Sequence, residues 1–145
     1  MIIKTILKQK PPGFISVPAT MQVSGVIDLL AKKNIGAVLI LENDALIGIL
    51  SERDVVRSLA KRADSTLSLD ASALMTRNPI TASPETTVEH ALQIMTNGHF
   101  RHLPVIEDGQ LIGLVSIGDV VKARLDQSQH EVDSLRTYVA GGSAV

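Results

Sequence analysis

Gly48-Ile49-Leu50-Ser51-Glu52-Arg53-Asp54 and Gly113-Leu114-Val115-Ser116-Ile117-Gly118-Asp119 are two copies of one pattern. Each opens on a glycine and a short apolar run, reaches a serine, and places an aspartate three residues on. The apolar run reads as the end of a buried strand, and Ser-x-x-Asp as the first turn of a helix. The copies lie 65 residues apart (113 − 48 = 65). That offset organises the rest of the chain.

Upstream of the first copy, Val23, Val26, Ile27 and Leu30 fall at i, i+3, i+4 and i+7, the stripe of an amphipathic helix that Asn34 or Gly36 ends. Ala37–Leu41 and Leu46–Leu50 read as strands, joined by a hairpin turn over Glu42–Ala45. Ser51 opens a second helix with Val55, Val56, Leu59 and Ala60 facing inward. Adding 65 maps Ile15 to Ile80, and turns the helix stripe into Val88, Ala91, Leu92 and Met95. The strands become Leu103–Ile106 and Leu111–Val115, and the turn becomes Asp108-Gly109, where both residues tolerate positive φ. No gap is needed from Ile15 to Arg57. The expected fold is α+β: two repeats, each strand–helix–strand–strand–helix, packed about a pseudo-two-fold axis because neither covers its sheet alone.

The flanks complete the plan. Ile2–Gln9 reads as a short helix stopped by Pro11-Pro12-Gly13, and Phe14–Val17 as an extended segment. The expected divisions are 1–62 for this helix and the first repeat, 63–71 for a polar linker, 72–125 for the second repeat, and 126–145 for a C-terminal helix and tail. Ser72–Met75 is a helical turn, and Thr86-Thr87-Val88-Glu89 reads as a capping box. In the C-terminal helix Val132, Leu135 and Val139 form a stripe beside Tyr138. It packs on its own domain or covers a dimer partner. Gly141-Gly142 should end the helix, and Ser143–Val145 should fray.

Composition narrows the function. Cysteine is absent, which excludes disulfides, thiolate catalysis and Cys-ligated zinc. The net charge is −1 without a basic block, and Phe14, Phe100 and Tyr138 are the only aromatics, so nucleic acid is not an expected partner. No apolar run approaches the roughly 20 residues a bilayer requires. Met1-Ile2-Ile3-Lys4 does not read as a signal peptide, so a cytoplasmic location is expected. His99-x-x-His102 lacks a supporting carboxylate or Cys, so no metal is expected. The sequence is not a G-x-G-x-x-G dinucleotide fold. No serine stands in a nucleophile elbow with a base, so no catalytic residue is expected.

The repeat, its Gly-x-x-Ser-x-x-Asp stretches, the Leu74-Met75-Thr76 lead-in and the Arg101-His102-Leu103-Pro104-Val105 strand together resemble a CBS-domain pair, or Bateman module. The resemblance runs from Ile6 to Arg124 and is to the short stand-alone bacterial type. It implies a non-catalytic regulatory module whose inter-repeat clefts bind an adenosyl ligand such as AMP, ADP, ATP, NAD or S-adenosylmethionine. It also implies a homodimer, and leaves room for an unidentified effector protein. No cofactor is required beyond the regulatory nucleotide.

Chemistry suggests where the ligand would sit. A ribose diol presents two donors that one carboxylate accepts, so Asp54 and Asp119 are the candidates, with Ser51 and Ser116 one turn earlier. Ser-x-x-Asp is also a capping pattern, and the two roles are compatible. Gly118 would let a ligand approach the backbone, whereas Glu52 would repel phosphate, which favours the Asp119 site. The resemblance places adenine against Ile80, Thr81, Leu103 and Pro104. Arg101, His102 and, in the first repeat, Arg53 are candidate phosphate cations; strand-end solvation and packing are their ordinary alternatives. Gly36 and Ala37 stand where the second repeat has Arg101 and His102 (101 − 65 = 36; 102 − 65 = 37), so one dominant phosphate site is expected. A ligand-free assembly module is the alternative function.

Overall fold

The computed structural model describes residues 1–143. In chain order its elements are α1 (Ile3–Gln9), β1 (Ser16–Pro18), α2 (Val23–Lys33), β2 (Ala37–Glu42), β3 (Ala45–Ser51), α3 (Glu52–Arg62), a 3-10 helix (Ala63–Ser68), α4 (Ala71–Leu74), β4 (Thr76–Arg77), α5 (Val88–Gly98), β5 (His102–Glu107), β6 (Gln110–Ser116) and α6 (Ile117–Ser143). The 65-residue offset holds at the starts of four of these pairs: α2 and α5 (88 − 23), β2 and β5 (102 − 37), β3 and β6 (110 − 45), α3 and α6 (117 − 52). The chain is therefore an α+β tandem repeat.

Local chemistry repeats with it. Asn34 and His99 end α2 and α5 in the left-handed conformation, at φ 53° and 57°. Asn43-Asp44 and Asp108-Gly109 turn the two hairpins with both residues at positive φ, the twist that a two-residue connection between right-twisted strands requires.

The chain divides into two units. The first holds Gly13–Thr81 and Pro104–Gly113. Its sheet has the order β1-β2-β3-β4, with β1 parallel to β2 and the other pairs antiparallel. Val17, Val23, Val26, Leu30, Val38, Ile40, Leu50, Val55, Ala71 and Met75 form its core. The second unit holds Met1–Pro12, Ala82–Leu103 and Leu114 onward. Ile3, Ile6, Val88, Ala91, Met95, Leu103, Val115, Val120 and Ala123 are buried there.

Several expectations change in three dimensions. The N-terminal helix, grouped by sequence with the first repeat, joins the second unit: Ile3 N–H donates to Thr86 O at 2.9 Å, Lys4 N–H to Pro84 O at 2.9 Å, and Val88 N–H to Met1 O at 3.0 Å. The presumed linker is a 3-10 helix whose Thr66 is fully buried, its Oγ1 2.7 Å from Ser58 Oγ. α3 accordingly turns Val55 and Ser58 inward, while Val56 is 64% exposed and Leu59 and Ala60 also face out. A buried hydroxyl pair outranks the apolar pattern because each hydroxyl satisfies the other. The cap of α5 is Thr87, accepting from His90 N–H, while Thr86 Oγ1 accepts from Ser83 N–H. Gly141-Gly142 does not end α6, which runs without a break through the presumed 125/126 boundary to Ser143. The expected fraying of Ala144 and Val145 lies outside the described residues.

Gly48 is required by packing. A Cβ there would lie 2.5 Å from Met75 Sδ and 3.0 Å from the Thr76 carbonyl oxygen, because β4 crosses at Gly48↔Arg77. The thioether could swing aside but the backbone oxygen could not. Gly48→Ala is expected to lower the unfolding free energy by about 1–3 kcal/mol, the usual cost of overpacking, measured by urea denaturation. A loss below a few tenths would show that β4 yields easily.

Candidate functional site

Strands β3 and β6 deliver the two Ser-x-x-Asp stretches to helix starts. In each, the first helical N–H reaches back across the hairpin: Glu52 N–H donates to Gly36 O at 2.9 Å, and Ile117 N–H to Arg101 O at 2.7 Å. The two bonds are equivalent under the offset (52 + 65 = 117; 36 + 65 = 101). The second brings the Arg101 backbone to the first turn of α6, while the first repeat has a glycine there.

Both stretches close capping boxes. Asp54 Oδ2 accepts from Ser51 N–H at 2.9 Å and Ser51 Oγ at 3.0 Å, and Ser51 Oγ accepts from Asp54 N–H at 3.4 Å. Asp119 Oδ2 accepts from Ser116 N–H at 2.8 Å, and Ser116 Oγ accepts from Asp119 N–H at 3.1 Å. Every bond that reaches either carboxylate within its box ends on Oδ2. The capping alternative is thus realised at both aspartates. Each box nonetheless leaves Oδ1 as an acceptor for a further donor, since a carboxylate offers about four lone-pair positions.

The two sites differ in one residue that the sequence reading passed over. Lys10 Nζ donates to Asp119 Oδ2 at 2.7 Å and to the Leu114 carbonyl oxygen at 2.8 Å. Lys10 is the C-cap of α1, and Met75, 65 residues on, is the C-cap of α4 (75 − 10 = 65). Each precedes by three residues a positive-φ position, Gly13 or Asn78. The first unit thus sets a thioether beside Gly48, and the second sets an ammonium beside Leu114 and Asp119.

Proline explains why this ammonium has a backbone carbonyl to bind. In the first unit β4 pairs with β3 at Ile49↔Thr76 and Gly48↔Arg77. The equivalents of Thr76 and Arg77 are Pro11 and Pro12 (76 − 65 = 11; 77 − 65 = 12), which have no N–H to give. Among the described residues β6 pairs only with β5, and the Leu114 carbonyl takes its hydrogen bond from Lys10 instead.

Electrostatics follow from this contact. Burial by itself raises the pKa of Asp119. The hydrogen bond from Lys10, the Ser116 N–H, the Lys10 charge and the Ser116 hydroxyl outweigh it and hold the carboxyl below its ordinary value.

The remaining candidates fall in both units. Arg101, His102 and Leu103 share the second unit with Ser116, Gly118 and Asp119; Arg101 is exposed, His102 half-buried and Leu103 buried. A Cβ on Gly118 would come no nearer to a side chain than 3.6 Å, at Ser116 Oγ, so packing does not demand this glycine. Arg53, half-buried, adjoins Asp54 in the first unit. Ile80, Thr81 and Pro104 belong to that unit as well, Ile80 being 55% exposed, Thr81 exposed and Pro104 buried. Among the described residues, no three His, Cys, Asp or Glu side chains gather to hold a metal, and no helix is long and apolar enough to cross a membrane.

Comparison with known proteins supplies the family. The family model for the CBS domain matches residues 6–61 and 71–126. The CBS domain-containing protein CBSX3, mitochondrial, of Arabidopsis thaliana is 40% identical over 118 residues, covering 78% of this chain; the chain spans only 57% of that relative's length. The solved structure of the CBS-domain containing protein ATU1752 from Agrobacterium tumefaciens superimposes with a TM-score of 0.82 at 36% identity, over 85% of this chain and 92% of the other. CBS domain protein PAE2072 from Pyrobaculum aerophilum, solved in complex with AMP, has a TM-score of 0.73 at 29% identity, over 82% of this chain and 89% of the other.

The Lys10–Asp119 pair gives a pH signature. Asp119 has a folded pKa below its unfolded value, so between the two the unfolded chain binds the extra proton and stability rises with pH. Its contribution is full above the unfolded value, about 3.9, and is lost as pH falls through the folded one. In urea denaturation, the stability gap between wild type and Lys10→Met is therefore expected to be full at pH 7 and to shrink below about pH 4. A gap unchanged through that window would mean that the ion pair does not contribute to stability.

Proposed function

The chain belongs to the CBS-domain family, and on that premise we propose that it is a non-catalytic regulatory module that binds an adenine nucleotide at the Asp119 box. The observation that carries this reading is the state of the Asp119 carboxylate. Oδ2 is anchored on the first turn of α6 and Oδ1 is left to accept ribose hydroxyls, so the acceptor is held in place before the ligand arrives. The positive end of the α6 dipole favours a phosphate nearby. Arg101, bonded to that turn through its carbonyl, and His102, which opens β5, add charge or hydrogen-bonding capacity. Gly118, which packing does not require, leaves the backbone approachable.

AMP is the first candidate ligand because a relative has been solved with it; ADP, ATP and NAD share its ribose and are the next to test. The proposed setting is the cytoplasm, where such nucleotides are found. A ligand influences the protein only by binding one of its arrangements better than another. Leu103, in the same unit as Asp119, is proposed for the adenine. Ser51, Arg53 and Asp54 form a weaker second box that has no counterpart of Lys10.

We further propose that α6 carries a dimer contact. Its outer part exposes Leu125 (64%), Val132 (43%), Leu135 (63%) and Val139 (59%). With Val121 and Ser128 these residues step by 4, 3, 4, 3 and 4, the heptad alternation of a coiled-coil seam. In a parallel pair of such helices Glu131 of one copy faces Arg136 of the other, twice by symmetry, which selects a second copy of this chain as the occupant. A solvated amphipathic helix is marginal alone, and pairing covers its apolar stripe.

Two measurements test these readings. In titration calorimetry, Asp119→Ala is expected to weaken AMP binding about 10- to 100-fold, equivalent to about 1.5–3 kcal/mol. Unchanged affinity in the variant would remove Asp119 from the site, and no nucleotide binding by the wild type would favour a ligand-free assembly module. In sedimentation analysis, Leu135→Glu is expected to convert a dimer to monomer without altering the far-ultraviolet signal of the folded units. A wild-type monomer at high micromolar concentration would rule the seam out.

A further inference from the structure

We propose that Lys10 is a specificity-determining residue of the Asp119 site: it pairs with Oδ2 of the carboxylate in the unliganded protein and re-aims its ammonium at the phosphate of an incoming nucleotide, so that phosphorylated nucleosides are selected over neutral ones. The inference rests on the reading of Asp119 as the ribose acceptor. It goes beyond that reading by naming a gatekeeper on a segment remote in sequence.

The geometry carries the argument. Lys10 Nζ is 2.7 Å from Asp119 Oδ2 and 2.8 Å from the Leu114 carbonyl oxygen, so the ammonium stands on the carboxylate that the ribose must engage. A neutral nucleoside whose diol bonds to Oδ1 draws negative charge away from Oδ2, weakens this ion pair and offers the ammonium nothing in return. Leaving a half-buried charge poorly paired is costly. A nucleoside monophosphate brings its own anion, and Lys10, a point charge on a flexible four-carbon stem with three donors, can re-aim at it while keeping the Leu114 carbonyl. Lys10 is tethered close by the preceding α1, whose Ile3 and Ile6 are buried, and by Pro11-Pro12 after it. The equivalent position beside the Asp54 box is Met75, which supplies no charge, so the first box has no such filter.

The test is calorimetric titration of wild type, Lys10→Met and Lys10→Arg with AMP and with adenosine at physiological salt. Wild type is expected to prefer AMP. In Lys10→Met, AMP is expected to bind about tenfold more weakly, the scale of one charge-assisted hydrogen bond. Adenosine is expected to bind as well as before or better, since no ion pair is left for its diol to weaken. Lys10→Arg is expected to restore the preference for AMP. In wild type the Lys10 Nζ resonance is expected to shift on adding AMP to a different position from that reached with adenosine. Equal changes for the two ligands in Lys10→Met, or a Lys10 resonance that responds identically to both, would overturn the role of Lys10 and leave the ribose reading standing. Failure of wild type to bind either ligand would bring down the ribose reading and, with it, this role.

Discussion

An aspartate folded back onto the helix that it begins is the constraint on which the described structure turns. Asp54 and Asp119 each accept the N–H of the serine three residues before, at 2.9 and 2.8 Å. That bond stops the strand, starts the helix, and holds the carboxylate in one orientation. The next N–H ties the same turn to the residue preceding the partner strand, at Gly36 or Arg101. Strand, turn and helix are thereby locked around a carboxylate with one oxygen to spare. Capping engages one oxygen of the group and leaves the other able to accept.

The two boxes are equal in backbone and unequal in charge. The inequality comes from the segment before each repeat. α1 and α4 both end on a cap residue 65 positions apart, but one cap is Lys10 and the other Met75. The prolines after Lys10 matter as much as the lysine. By removing two N–H groups they forgo the strand pair that Thr76 and Arg77 make with β3, and leave the Leu114 carbonyl to the ammonium. A local change in hydrogen-bonding capacity thus converts a sheet edge into a charged contact beside a candidate ligand site.

Much of this was legible in the residues. The offset of 65, the hairpins, the positive-φ turns and the Ser-x-x-Asp helix starts are local patterns, and local patterns survive into three dimensions when packing agrees with them. The inward face of α3 does not follow apolar spacing alone; Ser58 wins its buried place through Thr66, a partner in a segment that composition marks as a polar linker. The break assigned to Gly141-Gly142 was misplaced for a related reason, glycine disfavouring a helix by only about 1 kcal/mol. Lys10 carried no signal of its own. A lysine after a short helix is ordinary, and its pairing with a residue 109 positions away depends on where α1 docks.

The sequence by itself determined that there are two repeats, which elements compose each, and which two carboxylates begin their helices. Those facts follow from hydrogen bonds and side-chain periods spanning a few residues. Only the tertiary structure decided that the N-terminal helix joins the unit of the second repeat and that its lysine lands on Asp119. That outcome depends on burying Ile3 and Ile6 and on satisfying the N–H of Val88 and the carbonyls of Pro84 and Thr86, groups far apart in the chain whose meeting no local pattern records.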